Sequence, residues 1–297
     1  MRVVAATADG IVVDGESAAM PDARLTWLQR RPGGWVAIIA RRVVHLLDEA
    51  YAIEESAVVG DLRAECAAWT PHGVLVGTSE AYLLDFPRLR RVRGFDSVDG
   101  RDTWFTPWGA PADVRSISAG PDGRVYVNVH VGGVVVSADG RTWTDTMDIG
   151  NDVHQVLAHP DRPGVALAPA AVGLGVTTDG GDTWEWHDEG LDGRYMRAVA
   201  VDGSRVLVSA SRGSGGNRTA VYRWDLDEQG HFEKCGGGLP EWFGDNVDTN
   251  CVALGEDGAA VGGPDGTVWV SDDLVSWRRA FEVDGITAVS AAGADSG

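Results

Sequence analysis

The segment TTDGGDTW, from Thr177 to Trp184, has the form Ser/Thr-x-Asp-x-Gly-x-Thr-Trp, and related segments recur along the chain. SVDGRDTW runs from Ser97 to Trp104, SADGRTW from Ser137 to Trp143 and SDDLVSW from Ser271 to Trp277. A worn copy, MPDARLTW, ends at Trp27. Trp104, Trp143 and Trp184 follow one another at intervals of 39 and 41 residues. If the wider gaps on either side each hold one further unit without the motif, the chain carries seven units of about 42 residues, the size of a four-stranded propeller blade.

Around each motif the chain reads as short strands parted by Gly, Pro and Asp turns, as in VRSISAG-PDG-RVYVNVHVGG-VVVS-ADG-RTWTDTM, and no long segment has helical period. The expected fold is all-β, a seven-bladed β-propeller, with six blades as the alternative count. One domain spans residues 1–297. The tail GITAVSAAG reads as a first strand that then stops, and the head RVVAATADGIVVDG as a second and third strand lacking a first. Residues 2–30 and 284–292 are therefore expected to share one blade, an N- and C-terminal strand closure that hides both sheet edges.

These repeats resemble the BNR/Asp-box propellers, including the sialidase-like and sortilin-like families, over nearly the whole chain. The resemblance implies that each motif sits at the turn between the third and fourth strands of a blade. Asp and Ser/Thr would bond the amides of that turn, Gly would take a positive φ, and Trp would fill the space between neighbouring sheets. Asp99, Trp104, Asp139, Trp143, Asp179, Trp184, Asp273 and Trp277 are accordingly expected to be scaffold. The family also contains glycosidases. A sialidase would hold its carboxylate substrate with three arginines beside a Tyr nucleophile, for which Arg63, Arg115, Arg197, Arg212 and Tyr195 offer themselves. The Arg-Ile-Pro signature that precedes the first Asp box in sialidases is absent.

A formal net charge of −19 argues against nucleic acid and anionic membranes, since polyanion binding needs a basic stripe. The start of the chain is too short an apolar run for a signal peptide or a membrane span. Three cysteines without CxxC spacing give neither a disulfide framework nor a thiolate zinc site, which fits a reduced cytoplasm. Lys234 is the sole lysine, and the dominance of Arg with Ala, Gly and Val suits a GC-rich bacterial genome.

If the third-to-fourth turns occupy one face, the segments leading into the first strands occupy the other, termed the top face. One aligned position there holds Asp113, Asp152, Tyr195 and Asp248, and the position two residues on holds Arg115, His154, Arg197 and Asn250. Arg63 comes from the preceding repeat, His130 from a second-to-third strand loop, and Asp245 from the approach to the last repeat. These eleven residues are the candidate binding arc. His130, Asp152 and His154 would suit a divalent metal such as zinc if their tips converge, so a divalent metal is the one cofactor suggested. Asp113, Asp152, Asp245 and Asp248 would serve glycoside hydrolysis if two stood at the right separation. Trp242 could provide a stacking platform.

No complete catalytic constellation can be written from residue types and spacing. The preferred expectation is a cytoplasmic propeller that binds a small molecule or protein at the channel mouth of the top face. The alternative is a glycoside hydrolase or metal-assisted hydrolase or lyase using the Asp/His/Arg arc.

Overall fold

A computed structural model describes residues 1–106, 108–130, 133–147 and 149–292. The strands form seven four-stranded sheets, and in six of them the four strands are consecutive in the chain. The first sheet differs, because Arg2–Thr7, Gly10–Val13 and Glu16–Ala19 take their remaining strand, Ala288–Ala292, from the far end of the chain. Val4 pairs with Ser290 and Ala6 with Ala288, antiparallel, so the terminal closure forms as expected. The chain forms two compact units, one of Met1–Leu25, Ala171–Leu174 and His187 onward, the other of Thr26–Ala170 and Gly175–Trp186.

The strands form where β-branched and small apolar residues run between turn residues. Middle strands are buried on both faces, as in Val125–Val129 and Thr267–Ser271, whereas fourth strands such as Ile53–Val58 and Arg278–Glu282 are mostly exposed and charged. Charged outer strands discourage edge-to-edge pairing. Side chains from successive sheets merge into shared apolar clusters. Trp27, Ile38, Cys66, Phe95, Ile117 and Trp143 share one cluster, and Ala198, Leu207, Phe243, Val261 and Trp277 another.

The turn between third and fourth strands has a common chemistry. Asp139 Oδ1 accepts from the amides of Arg141 (2.8 Å) and Thr142 (2.7 Å), and Asp273 Oδ1 from Val275 (2.8 Å) and Ser276 (2.7 Å). Asp179 accepts from the Thr183 amide (2.9 Å) and hydroxyl (2.6 Å). Those donors hold all three carboxyls down at about 2, with the Thr142 and Ser276 amides and the Thr183 hydroxyl as the leading causes. Sheets without the full motif use a lone Asp in the same place. Asp48 accepts from Ala50 and Ala52, Asp85 from Arg90, and Asp225 from Asp227 and Glu228. Asp14, between the third and fourth strands of the first sheet, accepts from the Val3 amide.

Two motif copies do not occupy this turn. The fourth strand of the first sheet ends at Ala19 and Leu25–Arg31 begins the next sheet, so Trp27 lies in a first strand and the shared blade stops short of residue 30. Its indole Nε1 donates to Ala67 O at 2.7 Å, a packing role without an Asp turn. Residues 97–104 follow the fourth strand of the third sheet, Arg90–Arg91, and a short helix, Arg93–Asp96, and contain a single 3-10 turn, Arg101–Thr103. Asp99 is thus outside any third-to-fourth turn, and Trp104 is buried against Phe95, ring centroids 5.6 Å apart.

Candidate functional site

In the unit that holds the third and fourth sheets, five of the candidate residues come together in one network. The chain turns into the fourth sheet at Asp113 and into the fifth at Asp152, while His130 follows the second strand of the fourth, Val125–Val129, and is tied back by its amide to Asp113 O at 2.8 Å. His130 lies between the two carboxylates, with Nδ1 3.4 Å from Asp113 Oδ1 and Nε2 3.3 Å from Asp152 Oδ1. His154 Nε2 stands 3.6 Å from the other Asp152 oxygen, and Arg115 Nε 3.6 Å from Asp113 Oδ1. Both histidines are buried and both carboxylates are partly exposed.

The electrostatics follow from this geometry. Burial drives the His130 pKa down, but the adjacent carboxylates of Asp113 and Asp152 outweigh it and leave the imidazole more basic than usual. Asp152 is held far below the ordinary carboxylate range by His130 first and His154 second. For Asp113, burial acts upward, yet His130 and Arg115 bring the net shift below normal. A general acid for glycoside hydrolysis needs a raised pKa. Neither carboxylate has one.

The same side chains are the candidate metal ligands. Among the described residues, no group of three or more His, Cys, Asp or Glu side chains is placed to hold a metal ion. His130, Asp152 and His154 do come together, but as partners facing one another at 3.3 and 3.6 Å. Zinc ligands would instead each point at a common centre about 2 Å away.

The remaining candidates are distributed elsewhere. Arg63 pairs with Glu65 at 3.0 Å, and Arg41 meets the other Glu65 oxygen at 3.3 Å. In the other unit, Arg197 donates to Asp248 at 2.8 Å, with its guanidinium 5.6 Å from the centre of the Tyr195 ring. Asp245 accepts from the adjacent Asn246 amide, and Asn250 adopts φ +65° with its carbonyl accepting from Val289. Trp242 has Lys234 Nζ at 3.4 Å and the Arg218 guanidinium at 4.2 Å from its ring centre, so cations occupy the surface expected to stack a ligand. The three cysteines are free and buried, and burial lifts the Cys235 and Cys251 thiols to about 12.

Two aromatic residues escaped the reading of the sequence. The loop after Trp104 is closed by Thr106, whose amide and hydroxyl donate to Ala110 O at 2.9 and 3.0 Å. It presents Phe105 (56% exposed) and Trp108 (69% exposed) to solvent. The Trp108 ring sits 5.8 Å from that of His130, tilted by 47°. Trp108 lies outside every motif copy, and the available signal was that a large apolar residue stood among turn residues with no strand to bury it.

No protein-family model matches the chain. No curated protein sequence matches it. Among solved structures, the WD40 repeats of RRP9 superpose with a TM-score of 0.64 at 11% identity, covering 92% of this chain and 85% of that one. The WD40 domain of Neurospora crassa Pan2 gives 0.59 at 10% identity over 89% and 81%. The computationally designed Ika8 protein gives 0.53 at 14% over 90% of each. With seven four-stranded sheets closed by a terminal strand pair, the fold is that of a seven-bladed β-propeller.

Proposed function

We propose that this chain is a binding propeller that takes a protein partner on the loops leading into the fourth and fifth sheets, with Trp108 as the anchor. The carrying observation is an indole 69% exposed and seated against a buried histidine that two carboxylates hold in place. Exposed tryptophans on a rigid support are the residues that dominate association energies. Asp113, Arg115 and Asp152 surround it as a polar rim whose charges are already paired. β-Propellers commonly serve as protein-interaction scaffolds, and that agrees with the reading.

The Ser/Thr-x-Asp turns at 137–143, 177–184 and 271–277 support kinship with the Asp-box propellers. The buried free thiols support a reducing cytoplasm, and the acidic surface a partner other than nucleic acid. Among the described residues, no helix is long and apolar enough to cross a membrane.

A photo-crosslinking amino acid at position 108, used in the source cells, identifies the partner. The purified partner is then measured against variants. Trp108→Ala is expected to weaken it at least about 30-fold, the 2 kcal/mol of a hot spot, while Trp186→Ala, on a fourth strand, leaves it unchanged. Equal affinity of wild type and Trp108→Ala would refute the assignment.

A further inference from the structure

The second sheet ends in an outer strand, Ile53–Val58, whose six residues exceed the two to five of every other outer strand among the described residues. It pairs with Val43–Leu47 on one side and forms the end of the sheet on the other. The Val59 amide donates to Arg42 O at 2.8 Å, on the side of Val43–Leu47. Backbone amides alternate in direction along a strand, so those of Val58 and Ser56 point to the open edge. Ser56 Oγ lies 2.6 Å from His45 Nδ1, which fixes the middle of the strand. Ile53 and Val58, 54% and 64% exposed, leave two branched apolar side chains in solvent beside that edge. Lys, Pro or dense charge guards an outer strand. The next longest, Arg278–Glu282, carries three charged residues in five, whereas Ile53–Val58 has neither Lys nor Pro. Its charges are Glu54, paired with Arg31, and Glu55, which has no ionic partner among the described residues.

We propose that this edge accepts an extended basic segment of a partner protein, which adds to the second sheet as a further strand. Main-chain hydrogen bonds at Ser56 and Val58 give such a complex its affinity, and the side chains along the strand select the sequence. A Val or Ile opposite Val58 and Ile53 covers the two exposed apolar residues, and an Arg or Lys opposite Glu55 pairs the unpaired carboxylate. The net charge of the whole chain, −19, favours a partner of the same basic character. It also deters a second copy of this chain, which would set Glu54 and Glu55 against another acidic body. The edge belongs to the second sheet, whereas Trp108 lies on the loop leading into the fourth.

The probe is a fluorescein-labelled peptide, Thr-Val-Thr-Thr-Arg-Thr-Val-Thr, which in antiparallel pairing sets its Val residues opposite Val58 and Ile53 and its Arg opposite Glu55. Its anisotropy is expected to rise saturably with protein concentration, and amide hydrogen exchange within residues 53–58 to slow on binding. The same peptide with Glu in place of Arg should bind at least about 5-fold more weakly, and one N-methylated at the amides facing the strand should not bind. Glu55→Arg is expected to reverse the preference, so that the Glu peptide binds more tightly, a gain that a misfolded variant would not produce. Absence of saturable binding, slowed exchange outside residues 53–58, binding of the N-methylated peptide, or an unchanged preference in Glu55→Arg overturns the site. Sedimentation of the chain alone as a dimer that Val58→Pro dissociates assigns the edge to a second copy and equally overturns it.

Discussion

At the scale of single residues, His130 is the side chain whose chemistry depends most on its neighbours. An imidazole with a carboxylate at each nitrogen satisfies both only as the imidazolium, because a neutral ring has one N–H to give. Its folded pKa stands above the unfolded value of about 6.5. The stabilisation from the two contacts is therefore whole below that pH and is lost as pH rises through the folded pKa. In urea unfolding, His130→Gln is expected to be about 1–3 kcal/mol less stable than wild type at pH 5.5, with the gap narrowing by pH 8.5. A gap that does not change with pH would show that His130 stays neutral. Asp152 behaves in the opposite sense. Its pKa is depressed, so its contribution is present above about pH 4 and is lost in strong acid. Asp152→Asn should lower the melting temperature at pH 7 and narrow its deficit below pH 3.

Among the elements, the third-to-fourth turn carries the local code. The backbone at Gly140 has φ +68°, and a Cβ there would lie 2.7 Å from the His72 ring. Gly140→Ala is expected to cost about 1–2 kcal/mol from the left-handed conformation and the crowding together, read as a lower denaturant midpoint at unchanged slope. Leu274 holds the corresponding place at φ +62°, where its buried side chain offsets the conformational cost. The turns of Asp139, Asp179 and Asp273 were legible because donors and acceptor lie within a few residues of one another. Those of Asp14, Asp48, Asp85 and Asp225 were not, since a lone Asp among 44 acidic residues carries no flanking pattern. The same limit explains residues 97–104. They contain the right letters, but the preceding strand Arg90–Arg91 has already completed the sheet, so no turn remained for them to close.

For the molecule as a whole, the joining of its two ends is the decisive contact. Arg2–Thr7 pairs with Gly10–Val13 on one side and Ala288–Ala292 on the other, so removing residues 284–297 would leave a long apolar strand with an open edge. The truncated chain is expected to lose its single sharp melting transition, bind a hydrophobic dye and aggregate. A cooperative monomer with native melting would show that this strand pair is dispensable.

The repeat length, the turn residues and the unfinished strands at both ends determined the propeller from the sequence alone, because each is written in residues close along the chain or in their period. Tertiary structure decided the rest. Asp113 and Asp152 lie one repeat apart and meet only because adjacent sheets bring both to His130; Arg212 and Arg218 meet at Asp192 only through the folding of the sixth sheet. Residue types announce which groups can bond, but a pKa, a paired charge or an exposed indole depends on distances through space, and these exist only once the sheets have packed.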